Sequence, residues 1–120
     1  MSGKKKLEKR SPILRLGISD RIALFNILPR KGALLTLQVA DDIRKKAVIS
    51  AEEQKRIKYR ESFTPDGKLI VEWDIKKEKS LDVQLSPLEA DLLKKSVNFL
   101  DQQEEIQEEW RPTCEKIRKL

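Results

Sequence analysis

A period-two pattern of apolar positions runs through residues 68–75, at Leu69, Val71, Trp73 and Ile75. This period is typical of a β-strand that buries one face. The turn-forming sequence Thr-Pro-Asp-Gly occupies residues 64–67 directly before it, and a second period-two run begins near Ile57. The pattern predicts a β-hairpin whose second strand buries its apolar side chains and places Trp73 in the core.

Three short helices are predicted before the hairpin. We expect Ser19 to cap the first, which runs to about Leu28, and Thr36 to cap the second. The third begins at Ser50 with the sequence Ser-Ala-Glu-Glu, which ends at Glu53. This is a capping box, in which the side chains at both ends satisfy free backbone N–H groups.

A longer helix is predicted after the hairpin. Its start is a second capping box, from Ser86 to Glu89, with a proline at the first helical position. We expect the helix to continue through Ile106 and Trp110, and the turn after Pro112 to fray. Its predicted buried residues are Leu88, Leu92, Leu93, Phe99 and Leu100.

The predicted fold class is α+β and winged-helix-like. It has three short helices, a long C-terminal helix, and an antiparallel β-hairpin that becomes a three-stranded sheet if residues 81–85 form a strand. The sequence predicts a basic disordered arm over residues 1–18, because a lysine-rich segment buries too little apolar surface to offset its ordering entropy. The winged-helix-like domain covers residues 19–111, and residues 112–120 form a C-terminal tail or a short helix.

Composition adds limits on the class of protein. The chain has 120 residues, of which 38% are hydrophobic and 38% are charged, and this size fits one domain with a modest core. No apolar run has the length needed to span a bilayer, so we expect no membrane partner. Cys114 is the single cysteine, which favours a reducing, cytoplasmic location.

Catalytic chemistry is poorly supported by the sequence. The chain contains no histidine, which is the commonest general base and metal ligand, and its four glycines form no phosphate-binding loop. Glu104 and Glu108 share one face of the predicted long helix, but such a pair is typical of a solvated surface. We therefore predict a protein that is not an enzyme, with no catalytic residues, no metal site and no cofactor.

Positive charge is concentrated in the first half of the chain. Residues 1–60 contain 16 Lys and Arg against 6 Asp and Glu, whereas residues 61–120 contain 10 against 14. A basic surface of this kind suggests contacts with nucleic-acid phosphates. The candidate nucleic-acid-binding residues are Lys4, Lys5, Lys6, Lys9, Arg10, Arg44, Lys45, Lys46, Lys55, Arg56, Lys58, Arg60 and Lys68.

The start of the third helix opposes this interpretation. In helix-turn-helix docking it faces the base edges, yet here it carries Glu52 and Glu53, which repel phosphates. The alternative is a protein-binding surface around Ile106 and Trp110, in the acidic part of the predicted C-terminal helix. Nucleic acid, a host protein and a second copy of the chain are the partners that the sequence leaves open.

Several segments resemble small phage and prophage proteins of uncharacterised function. They are Asn26-Ile-Leu-Pro-Arg-Lys-Gly32, Leu35-Thr-Leu37, Ser50-Ala-Glu-Glu53 and Val71-Glu-Trp73. The resemblance covers roughly residues 20–95 and implies a phage origin and a non-enzymatic role. The basic first half and the element order predict a DNA-binding or regulatory protein of phage type. The alternative, which the resemblance suggests, is an inhibitor or adaptor of a host machine such as RNA polymerase or a defence nuclease, acting through the acidic C-terminal helix.

Overall fold

A computed structural model describes residues 11–120. This part of the chain is a mixed α+β domain with five α-helices and two antiparallel sheets of two strands each. The strands are β1 (Ile13–Leu16), β2 (Arg60–Phe63), β3 (Leu69–Glu72) and β4 (Leu81–Gln84). The helices are α1 (Ile18–Ile27), α2 (Leu34–Ala47), α3 (Ala51–Ile57), α4 (Pro87–Gln102) and α5 (Arg111–Arg118), with single 3₁₀ turns at Ile75–Lys77 and Glu108–Trp110.

The first sheet pairs β1 with β4, which lie far apart in the sequence. Their register sets Ile13 opposite Gln84 and Leu16 opposite Leu81. The strand predicted within residues 81–85 is confirmed, but the three-stranded sheet is wrong, because β4 pairs with β1 and not with the hairpin. The predicted disordered arm is also wrong over β1, whose apolar side chains enter the core; residues 1–10 lie outside the described part.

The second sheet is the predicted hairpin of β2 and β3. The Thr-Pro-Asp-Gly turn joins them, with Gly67 at φ 87°, a left-handed value that glycine adopts without strain. The predicted buried face is wrong: Leu69 and Ile75 are exposed, and Trp73 is half-buried and lies outside the main hydrophobic cluster. The two short strands pair only with each other, and the rest of the domain covers little of the sheet. The alternating apolar residues of β3 therefore stay largely exposed.

The helix starts divide into two groups. Ser50 caps α3 and Ser86 caps α4, each by accepting a hydrogen bond of 3.1 Å from the backbone N–H three residues later. Ser19 and Thr36, the other two predicted caps, lie inside the first turns of α1 and α2. Helix α1 is capped by a distant residue instead, because the N–H of Ile18 donates to a carboxylate oxygen of Glu78 at 2.9 Å.

Helix α4 is shorter than predicted. It ends at Gln102, and Glu104 adopts a left-handed backbone at φ 56°, so residues 103–107 are not helical and Glu108 lies in the separate 3₁₀ turn. The predicted shared helical face of Glu104 and Glu108 is therefore wrong. Residues 112–120 form a short helix, α5, as one of the two predicted alternatives, and it packs into the core through Cys114 and Ile117 where fraying was expected.

The core lies between α1, α2, α4, α5 and the inner face of the β1–β4 sheet. Helix α4 contributes Ala90, Leu93 and Val97, whereas the predicted core residues Leu88 and Phe99 are exposed. Apolar residues cover about half of the circumference of α4, so its period alone does not identify which part of that half faces inward. The buried cluster consists of Leu14, Leu16, Ala23, Leu24, Ile27, Leu28, Ala40, Ile43, Ala47, Val83, Leu85, Ala90, Leu93, Val97, Cys114 and Ile117.

Among residues 11–120, no helix is both long enough and apolar enough to cross a membrane.

Candidate nucleic-acid interface

Helix α3 is fixed to the domain by a buried ion pair. The guanidinium of Arg21, on α1, binds both carboxylate oxygens of Glu53, at 2.6 Å from Nη1 and 2.9 Å from Nη2. The same guanidinium donates to the carbonyls of Ala47, at 2.8 Å, and Val48, at the end of α2. One side chain therefore joins three helices.

This ion pair changes the charge that α3 presents to solvent. The hydrogen bond from Arg21 outweighs burial and lowers the pKa of Glu53. The carboxylate is therefore ionised, and the positive charge of the Arg21 guanidinium balances it within the domain. The Oγ of Ser50 still accepts from the N–H of Glu53, while the carboxylate of the predicted capping box is turned inward. Of the two acidic residues at the start of α3, only Glu52 is exposed.

Three predicted basic residues surround one open depression between α3 and β2. Lys55 lies on α3, Lys58 ends it, and Arg60 begins β2. Lys58 adopts a left-handed backbone at φ 56°, which turns the chain from the helix into the strand. The depression has a volume of about 450 Å³ and is also lined by Ala51, Gln54 and Tyr59. Its shape is open enough to admit a phosphate backbone.

Two arginines near α3 are paired with acidic residues. Arg56 approaches Glu53 at 3.8 Å, and Arg60 forms an exposed pair with Glu72 on β3 at 3.2 Å. Such exposed pairs contribute little to stability and are easily exchanged for phosphate contacts. Lys68 follows the turn at the hairpin tip and is exposed.

The predicted basic residues at the end of α2 serve contacts within the domain. Arg44 donates to the carbonyl of Pro29 at 2.8 Å, and Lys46 binds Glu89 at 2.6 Å. Lys45 pairs with Asp41 one turn earlier on the same helix. Lys4, Lys5, Lys6, Lys9 and Arg10, the arm residues, lie outside the described part of the chain. Among the described candidates, Lys55, Lys58 and Arg60 are the three that line one common depression.

An apolar groove lies beside the hairpin. It consists of two adjoining depressions, of about 330 and about 270 Å³, which share Ile22, Leu69 and Val71. At one end are Trp73 and Trp110. The predicted protein-binding residues Ile106 and Trp110 are both half-buried and pack against the core, so each has a structural role.

Tyr59 borders both the basic depression and the groove. The hydroxyl of Tyr59 donates a hydrogen bond to the Glu61 carboxylate at 2.7 Å. Burial, with a further contribution from this carboxylate, raises the pKa of Tyr59 to about 12. The phenol is therefore neutral at physiological pH, and its hydroxyl is already committed to Glu61.

Sequence reasoning missed the buried polar residues that position these surfaces. Asp20 accepts hydrogen bonds from Thr113 and Lys116, both at 2.6 Å, and thereby ties α1 to α5. Glu78 accepts from the Trp73 indole N–H at 2.9 Å as well as from the start of α1. Every partner is distant in sequence or lies beyond a turn, so no local pattern marks these contacts.

Within residues 11–120, no three His, Cys, Asp or Glu side chains converge as metal ligands. Burial raises the pKa of the Cys114 thiol, which disfavours the reactive thiolate.

No protein-family model, no curated protein and no solved structure matches the chain. The resemblance of residues 20–95 to phage and prophage proteins therefore stays a prediction.

Proposed function

We propose that this protein is a non-enzymatic, winged-helix-like protein that binds duplex DNA through the cluster of Lys55, Lys58 and Arg60. Helices α2 and α3 are joined by a connection of three residues, and the hairpin follows α3 directly. This is the element order of a winged helix, in which the helix after the turn and the hairpin flank the bound duplex.

The observation that supports this proposal most strongly is the inward position of the Glu53 carboxylate. Paired with Arg21, it faces away from a ligand at α3, so the strongest electrostatic objection to phosphate binding is reduced to Glu52. The basic cluster then dominates the exposed end of α3, and Lys68 adds a further charge on the hairpin.

Fluorescence anisotropy with a labelled duplex of mixed sequence tests this proposal. We expect binding at low salt that weakens steeply as salt rises, because each neutralised phosphate releases a counterion. Charge reversal by Lys55→Glu with Lys58→Glu should lower affinity at least tenfold and reduce the slope of log K against log salt by about 2.

The matched control is Lys94→Glu with Lys119→Glu, which alters net charge equally at positions on α4 and after α5. It should retain most of the affinity. Absence of binding at low salt, or equal losses in the two double variants, would contradict the proposal.

A second candidate function is protein binding in the apolar groove. Leu69 is 48% exposed in it, and Trp73 and Trp110 border one end. Affinity purification with and without nuclease separates the two functions, since a protein partner survives nuclease treatment and a DNA-bridged one does not. The variant Leu69→Glu should lose a nuclease-resistant partner, whereas Phe63→Glu, on the neighbouring strand outside the groove, should retain it.

A further inference from the structure

Helix α4 carries an apolar stripe on the side opposite Val97, and its middle residue, Leu92, is half-buried against the core. Leu88, Leu92 and Phe99 recur at spacings of four and seven residues, which places them on one face of the helix. Leu88 is 61% exposed and Phe99 is 59% exposed, whereas Leu93 and Val97 on the other side are fully buried. Leu88 and Phe99 are the exposed ends of this stripe, and Leu92 lies between them.

Helix α2 widens this stripe into a face of two helices. Leu35, on α2, is 63% exposed, and with the half-buried Val39 it meets Leu88 and Leu92 around a shallow depression of about 220 Å³. The same depression is bordered by one acidic and one basic residue of α4. These are Asp91 and Lys95, which pair at 3.0 Å across one helical turn.

We infer that this face binds the same face of a second copy. The two α4 helices are antiparallel, and the two-fold axis between them crosses the exposed face at the level of residue 93 along the helix. Such an axis sets residues at equal distances from Leu93 opposite each other. Leu88 and Phe99 lie five and six residues from Leu93 in opposite directions, so Leu88 of one copy contacts Phe99 of the other. Asp91 and Lys95 each lie two residues from it, so each faces its opposite charge.

Charge and length both favour a second copy as the occupant. The internal Asp91–Lys95 pair is more than half exposed on both sides, so it contributes little alone and its members are free to exchange partners across the axis. Helix α4 has 16 residues and is about 24 Å long, which gives room for both apolar ends and the central charges. The contact excludes water from Leu88 and Phe99 in both copies at once.

The experiment is sedimentation equilibrium of the full chain without nucleic acid, so its outcome is independent of the proposed function. Over concentrations from about 1 to about 300 µM, we expect the mass of the wild type to rise from 14.0 kDa toward twice that value. Asp91→Lys and Lys95→Asp should each weaken the homodimer roughly tenfold or more, since each places like charges face to face twice.

An equimolar mixture of Asp91→Lys and Lys95→Asp is the decisive experiment. In the mixed dimer, positions 91 and 95 again carry opposite charges at both contacts, so dimerisation should recover to near the wild-type level. Leu88→Glu should abolish it, and Phe63→Glu, an exposed apolar residue on the hairpin, should leave it unchanged. Thermal melts verify that every variant is folded.

Two results would overturn the inference. One is a wild-type mass that stays at 14.0 kDa over the whole concentration range, which would leave the face to another class of partner. The other is a mixture that associates no more strongly than its two components, which would exclude the antiparallel pairing.

Discussion

The sheet of β1 and β4 and the sheet of β2 and β3 each contain two antiparallel strands of four residues, yet their surroundings differ. Along β1, exposed and buried residues alternate, and Leu14 and Leu16 enter the core. Along β2 every residue is exposed, and on β3 only Val71 is partly covered.

This difference separates the part of the protein that holds the fold from the part that is available to partners. The β1–β4 sheet closes the core together with α1, α4 and α5. The hairpin is attached through polar contacts at its base: the Arg21–Glu53 pair fixes the preceding helix, and Glu78 connects Trp73 to the start of α1. Substitutions in the two regions should therefore have very different costs.

The largest effect is expected from Arg21→Ala. Removal of the guanidinium leaves the Glu53 carboxylate with little solvent and deprives two carbonyls of α2 of their donor, so we expect a loss of about 4 kcal/mol in the free energy of unfolding. Urea denaturation measures it. Arg56→Ala, which removes the exposed partner of the same carboxylate, should cost less than about 0.5 kcal/mol; similar costs for the two variants would mean that the buried pair does not fix α3.

The two sheets can be compared directly with one type of substitution. Leu16→Ala removes a side chain with no exposed area and should cost about 3 kcal/mol, because it leaves a cavity in the core. Leu69→Ala, at a half-exposed position on β3, should cost less than about 1 kcal/mol. Thermal or urea unfolding of the two variants tests the comparison, and equal losses would show that the hairpin belongs to the cooperative core.

Acid should weaken the anchored region through Asp20. Burial raises the pKa of this carboxyl, but hydrogen bonds from Lys116, Thr113 and the Gly17 N–H outweigh it and hold the pKa below 3.8. The ionised group therefore stabilises the fold above pH 3.8, and this contribution is lost as the pH falls through the lower folded value.

The variant Asp20→Asn should consequently lose about 2 kcal/mol at pH 7, as expected for hydrogen bonds to a charged group. Its difference from the wild type should shrink as the pH falls below 3.8, and urea denaturation across the acid range measures this. A difference that is independent of pH would show that the effect comes from packing and not from the charge.

The smallest effect is expected at the link between the hairpin and α1. Glu78→Ala removes the acceptor for the N–H of Ile18 and for the Trp73 indole, and a lost helix cap costs about 1 kcal/mol. Trp73 fluorescence should shift to longer wavelength as the indole gains water. Since a Cβ at Gly17 would lie 2.6 Å from the Glu78 carboxylate, Gly17→Ala should reproduce part of this loss.

Local signals predicted part of the fold correctly. The caps at Ser50 and Ser86 and the turn at residues 64–67 depend on neighbours within a few residues, and all three were confirmed. The pairing of β1 with β4 joins residues about 70 positions apart, which a hydrophobic period does not encode. The predicted inward face of α4 is wrong at Leu88 and Phe99, which are exposed, whereas the smaller Ala90 and Val97 are buried.

The candidate site was predictable only in its basic residues. Lys55, Lys58 and Arg60 are close in sequence, so their meeting around one depression follows from a helix end and the strand after it. The neutralisation of Glu53 requires Arg21, which is 32 residues earlier and gives no local sign of its role. The sequence therefore shows two repelling carboxylates at α3 where the folded protein exposes one.

Because Arg21 holds the carbonyls at the end of α2 as well as the carboxylate of α3, the bend between these helices is set by a residue outside them. A peptide or chimera that carries only residues 34–57 would lack the guanidinium and should not keep the native angle. If α2 and α3 are transferred to another scaffold, α1 must be transferred with them, because it carries Arg21.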